Sequence, residues 1–187
     1  MSVDYQALID GGAKTWNDWR SENPDVVPDI SDLSFDYLDL PGMDFSGMNL
    51  DYVTLSAAIL VEAKLDRASL DHTDLSDAVL DRATFIDADA KCVNLFGASL
   101  VEARLLRTNL ISCSLRDADL TKADLTGSDL SVAYLRGADL QEAIFKETKL
   151  DRAIFIDVEN LQVDQLRSAA SSDDLSGLNE EILAQLG

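Results

Sequence analysis

Every fifth residue along most of this chain is apolar and large. From Phe35 the series runs Phe35, Leu40, Phe45, Leu50 and keeps its phase to Leu150 and Phe155; of its 25 members only Ala90 is neither Leu nor Phe. An amphipathic helix repeats its apolar positions at three and four residues, and a half-buried strand at two. Period five fits neither, so the chain must turn a corner after each unit. A second periodic position lies two residues earlier. From Ala58 to Ala153 it is Ala, except at Thr73, Val93, Thr108, Cys113, Ser128 and Thr148. One large and one small inward residue per unit define a narrow interior whose volumes are closely fixed. Four units close a square coil of 20 residues. Residue n then stacks on residue n+20, and adjacent coils pair as parallel bridges about 4.8 Å apart. About six coils make a tower roughly 30 Å tall at that spacing.

Turn chemistry agrees with this register. Gly42, Gly47, Gly97, Gly127 and Gly137 all fall two residues after a central residue, where a corner needs positive φ. Pro24, Pro28 and Pro41 are the prolines, so none interrupts the stack beyond its first coil. Ala90 directly follows Phe85 in the central series, the smaller residue making room for the larger ring.

Runs such as Ala118-Asp119-Leu120, Ala123-Asp124-Leu125, Ser128-Asp129-Leu130 and Ala138-Asp139-Leu140 closely match A-(D/N)-L-x-x. In these runs the chain resembles the pentapeptide-repeat family, and the resemblance covers about two-thirds of its length. It implies an all-β solenoid: a right-handed quadrilateral parallel β-helix. The first units depart from the consensus, with Leu33, Leu38, Met43 and Met48 where Ala is expected. Those larger residues predict a flared first coil that meets something other than another coil.

A solenoid leaves the edges of its terminal coils open and needs caps. Residues 1–30 are expected to form an N-terminal helical cap and lead-in, 31–158 the β-helix, and 159–187 a C-terminal cap and tail. Asp4–Ile9 and Ala13–Arg20 read as helical pieces separated by Gly11-Gly12, with Trp16 and Trp19 covering the bulky first coil. After Val158 the phase is lost. Leu161, Val163 and Leu166 have helical spacing, Asn160 is a candidate N-cap, and Leu161 and Leu166 are the expected capping side chains. Ser171–Asp174 reads as a polar loop, and Leu178–Leu186 as a second amphipathic helix that folds back, dimerises or stays mobile.

The 20-residue rule also maps the outer surface. One corner column reads Glu62, Arg82, Glu102, Lys122, Glu142, and another Arg67, Asp87, Arg107. Alternating charges at one-coil spacing are expected to pair as structural ladders that fix register. Ile59, Val61, Val79 and Val101 project from one face, and Ile86 with Leu106 from the next. Their clustering marks a candidate partner patch.

Composition narrows the functions. The chain carries 35 acidic and 15 basic residues, a net charge of −20, which excludes non-specific nucleic-acid binding and attraction to anionic membranes. No apolar run reaches the length of a membrane span and the first ten residues lack a signal-peptide pattern, so a cytoplasmic protein is expected. His72 is the only histidine, which removes Ser-His-Asp and His-rich metal arrangements. It is expected to point outward at a corner between Tyr52 and Cys92, with Asp71 nearby, and no metal site, cofactor site or catalytic residue is assigned. Cys113 is expected to be buried. A convex tower offers its carboxylates no cleft in which to shift their pKa values.

The expected function is a non-enzymatic protein-interaction or scaffold module. Its partner is another, unidentified protein, and the chain is a monomer or a C-terminally mediated homodimer. The family resemblance implies an alternative, since some members resemble B-form DNA in size and charge and bind DNA gyrase, protecting it from quinolones.

Overall fold

The computed structural model describes residues 3–28, 30 and 35–186. Leu33, expected inside the first coil, lies outside the described residues. Parallel bridges join residues 20 apart without interruption from Asp39↔Ile59 to Asp139↔Glu159. Each coil therefore lies one four-sided turn above the next. The central series and the small series both point inward, and nearly every member from Phe35 to Phe155 is buried. Met43 and Met48 are buried at the small positions of the first coils, and Leu38 is partly buried there. The inward hydroxyls find acceptors in the coil above: Thr73 donates to the Leu50 carbonyl at 2.7 Å, Thr108 to Phe85 at 2.7 Å and Thr148 to Leu125 at 2.8 Å. Small polar residues thus enter the core without stranded groups.

From Phe35 to Ala153 each corner is a four-residue turn in which the N–H three residues on donates to the central carbonyl, as Ala63 does to Leu60 at 3.0 Å. The third residue of the turn has positive φ at every corner from Tyr37 to Asp157, 20 of them non-glycine. That is the type II requirement, and the five glycines are simply the corners that meet it without steric cost.

Backbone accounting explains the recurrent Asp. In the unit around Leu70, Ser69 donates to Met48 at 2.9 Å, Leu70 to Asp89 at 2.7 Å, His72 to Lys91 at 3.2 Å and Ala68 to Leu65 at 3.1 Å. The remaining N–H, on the residue after the central one, has no backbone partner. At many corners, though not at every one, side chains supply one in two ways. Asp44, Asp74, Asp119, Asp124, Asp129 and Asp139 accept from the residue two further on in their own turn. Asp36, Asp51, Asp66 and Asp81 instead accept from the equivalent residue one coil below. Part of the acidity therefore serves the corners. Pro41 occupies the same turn position in the first coil and has no N–H to satisfy.

At the N-terminal end, α1 (Tyr5–Asp10) and α2 (Gly12–Glu22) meet at Gly11, so Gly12 belongs to the second helix rather than to a linker. Asp4 caps α1 by accepting from Ala7 at 3.0 Å. Trp16 is fully buried with its ring 6.0 Å from Phe45, and Trp19 packs beside it under Tyr5.

The C-terminal end departs from expectation. α3 is only Val163–Arg167, and it is preceded by Gln162, whose N–H donates to Gln165 Oε1 at 2.5 Å. Asn160 is not its cap. Its amide donates to Asp139 at 2.8 Å, and its backbone has positive φ like a further corner. Beyond α3 the chain rejoins the ladder with a register of 22, through Lys149↔Ser171 and Ile154↔Ser176. The segment 171–174, expected as a loop, is a further partial coil with Ser172 and Gly177 at the central positions. The interposed α3 changes the register, and the missing Leu or Phe hides the repeat. α4 (Glu180–Leu186) buries Ile182 but leaves Leu183 and Leu186 exposed.

Candidate interaction surface

The charge ladders form only in part. Arg107 makes two bonds to Asp87, at 2.6 and 2.8 Å, and Arg82 lies 3.1 Å from Glu62. The Arg107 bonds hold the Asp87 carboxyl below its ordinary range. Arg67 adds long-range attraction to Asp87 without a close pair, and Glu102, Lys122 and Glu142 make no ion pair among the described residues. These side chains are exposed at the corners, where water competes with each contact.

The expected apolar patch is divided. Ile59 is exposed, whereas Val61, Val79, Ile86, Val101 and Leu106 are half-buried between their neighbours. Asp81 stands between Val61 and Val101 in their column. The charged Glu62–Arg82 corner separates this face from Ile86 and Leu106.

A different face gathers more exposed apolar surface. Phe96, Arg116, Arg136 and Ile156 succeed one another at one-coil spacing, with Tyr134 and Ile154 alongside. Phe96 is 39% exposed, Tyr134 44% and Ile156 40%. The Asp and Asn residues that feed the turn N–H at many other corners are missing here, as they are at Val61 and Leu106. Ser114 and Tyr134 hold the bridge positions and Phe96 and Arg116 lie one coil above, so the N–H groups of Arg116 and Arg136 have no acceptor among the described residues. Asp157 lies 3.5 Å from the Arg136 guanidinium. The sequence signal was present in the columns: two arginines in register, with Phe96 before them and Ile156 after them.

The capping residues lie at the ends, away from this face. Leu161 and Leu166 are buried against the last full coil. A hollow of about 290 Å³ lies between α2 and the first coils, but the Arg20 guanidinium lining it already donates to the Ser46 carbonyl at 2.8 Å. Cys113 is fully buried, and burial pushes its thiol far up. His72 stands exposed at its corner, stacked with Tyr52 at 5.2 Å. Among the described residues, no helix is long and apolar enough to cross a membrane.

A four-sided parallel coil with a five-residue unit defines a right-handed quadrilateral β-helix. The chain belongs to the pentapeptide-repeat family: the model for pentapeptide repeats matches in eight copies over residues 58–91, 91–127 and 118–157. Comparison with curated proteins finds no sequence match. Among solved structures, it is similar to QnrB1, a plasmid-mediated fluoroquinolone resistance protein, at 14% identity and a TM-score of 0.54, covering 86% of this chain and 93% of that one. A pentapeptide repeat protein of the Arabidopsis thaliana thylakoid lumen aligns at 23% identity and a TM-score of 0.47, over 70% of this chain and 73% of that one. Another, from the cyanobacterium Cyanothece, aligns at 28% identity and a TM-score of 0.47, over 59% and 83%. The likeness to QnrB1 is one of fold alone.

Proposed function

We propose that the chain is a non-catalytic interaction module whose contact strip is Phe96, Arg116, Tyr134, Arg136 and Ile156. The occupant is an acidic, partly apolar segment of another protein. The observation that supports this reading is the pair of exposed guanidiniums of Arg116 and Arg136, one coil apart, set beside exposed Phe96, Tyr134 and Ile156. The turn N–H groups of both arginines are also open, as are those of Val61, Asp66 and Leu106; at many other turns the chain's own Asp or Asn fills that position. Here a partner's carboxylates would, with Phe96, Tyr134 and Ile156 as anchors of the kind that dominate interface energies.

The test is an affinity pull-down followed by a binding titration with the captured protein. Arg116→Glu/Arg136→Glu should abolish that binding, while Ile86→Asp/Leu106→Asp, on the divided patch, should retain it. Equal affinity of the arginine variant and the wild type eliminates the strip. A second reading, DNA mimicry toward DNA gyrase, is favoured by the net charge of −20. Against it, many of the aspartates are committed to backbone N–H groups. A gyrase supercoiling assay with titrated protein separates the two, since DNA mimicry requires inhibition or protection at micromolar concentration.

A further inference from the structure

One corner column brings together donor types that are scattered elsewhere. Tyr52, His72 and Cys92 succeed one another at one-coil intervals, all with positive φ. The ladder fixes the two lower corners, His72 donating to Lys91 at 3.2 Å and Cys92 to Ile111 at 3.0 Å. The Tyr52 ring lies parallel to the imidazole, within 11°, and so restrains its plane. Asp71 Oδ1 lies 2.9 Å from His72 Nδ1, yet this oxygen is shielded from solvent and accepts no hydrogen bond. The approach is close but not aligned for a proton between the two atoms. A shielded carboxylate oxygen without a donor is costly unless a cation faces it.

One potential ligand atom from each of Asp71, His72 and Cys92 lies within 4.8 Å of the other two. Carboxylate oxygen, imidazole nitrogen and thiolate sulfur form a mixed donor set suited to a borderline-soft divalent ion and ill suited to Ca²⁺ or Mg²⁺. We propose that Asp71, His72 and Cys92 bind one divalent ion of the Zn²⁺ class, with a fourth position open to solvent. Binding requires the Cys92 thiol to release its proton to solvent. The ion would clamp two successive coils at one corner and offer its open position to water or to a donor from a partner.

The experiment uses the full chain, reduced and stripped with a chelator, titrated first with Co²⁺ as a spectroscopic probe and then with Zn²⁺. The expected result is one ion per chain with a thiolate-to-cobalt charge-transfer band that Zn²⁺ displaces. Cys92→Ser should abolish the band, and Cys113→Ala should keep it because that sulfur is buried. His72→Asn and Asp71→Asn should each weaken Zn²⁺ binding by at least about tenfold. Asn suits the left-handed backbone at His72, so loss of binding there would not reflect a lost corner. Absence of the band, its survival in Cys92→Ser, or unchanged affinity in either Asn variant overturns the three-ligand site.

Discussion

The two ends of the tower are closed by different physics. At the N-terminal end a helix lies across the open coil and places a fully buried indole on Phe45. Its polar side chains tie it to the coil backbone: Trp16 Nε1 donates to the Asp44 carbonyl at 2.8 Å, and Asn17 both donates to Gly42 at 2.8 Å and accepts from Asp44 at 2.9 Å. At the C-terminal end the solenoid tapers. A five-residue helix interrupts the ladder, and the partial coil beyond it carries Ser172 and Gly177 where the body of the tower carries Leu or Phe. Its attachment runs partly through carboxylates, since Asp151 accepts from the Ser171 hydroxyl at 2.6 Å and from the Asp173 N–H at 3.0 Å. One end is a plug and the other a gradual loss of core. Because a solenoid is stabilised by neighbour contacts, the end with less buried apolar volume should open first.

The strongest way to break this contrast is to remove the plug. Trp16→Ala should cost about 3–5 kcal/mol, the range for truncating a buried Trp or Phe, and should lower the urea midpoint accordingly. Leu166→Ala, under the C-terminal cap, should cost less, about 2–3 kcal/mol, because a fraying end can open locally instead of losing the whole stack. If the two substitutions shift the midpoint equally, the ends are equivalent and the contrast fails. A polar comparison follows at smaller scale. Asn17→Ala removes two bonds to the coil edge, and Gln165→Ala removes donation to Leu140 at 2.9 Å and Ala143 at 2.8 Å. Each should cost about 1–2 kcal/mol, and native-state hydrogen exchange should show the loss confined to its own end.

Gly177 sharpens the C-terminal case. Its φ is +79°, and an added Cβ would stand 2.6 Å from the Ile156 backbone nitrogen, where no side chain can yield. Gly177→Ala should detach the partial coil and speed amide exchange over residues 168–176. The global urea midpoint should move by less than about 1 kcal/mol, since terminal elements open independently of the body. A large global shift would mean that the tapered end is integral to the stack.

Much of this architecture was legible because each unit repeats one solution, so period and phase could be read 25 times over. The central Leu and Phe, the small Ala positions and the glycine corners all fell where the period placed them. The C-terminal coil was hidden because α3 moves the register from 20 to 22 and because Ser172 and Gly177 leave no apolar beat to follow. The strip proposed for contact is hidden for a related reason. Clustering of apolar residues points to Ile59–Leu106, while the proposed strip is marked by Arg116 and Arg136 in register between Phe96 and Ile156. Recognising that signal required knowing how far each of these side chains stands out from its column.

The smallest expected effect concerns acid. Partial burial disfavours ionisation of Asp129, but the Ser131 hydroxyl and N–H together with Lys149, 3.3 Å away, outweigh it and hold the carboxyl below the ordinary value of 3.8. A carboxyl whose folded pKa is depressed contributes stability that is fully present above its unfolded value. That contribution fades as pH falls through the ordinary value toward the lower folded one. Lys149 also bridges to Ser171 of the partial coil, so Asp129 acts on the tapering end. Its exposed partner limits the contribution to a few tenths of about 1 kcal/mol. By contrast, the acceptors that Trp16, Asn17 and Arg20 use on the first coils are backbone carbonyls, which do not titrate. Lowering the pH below 4 should therefore loosen residues 168–176 slightly before residues 12–22, as read by amide exchange, and Asp129→Asn should reduce that difference. Simultaneous loosening of both ends, or an unchanged difference in the variant, would remove Asp129 from the account of the C-terminal end.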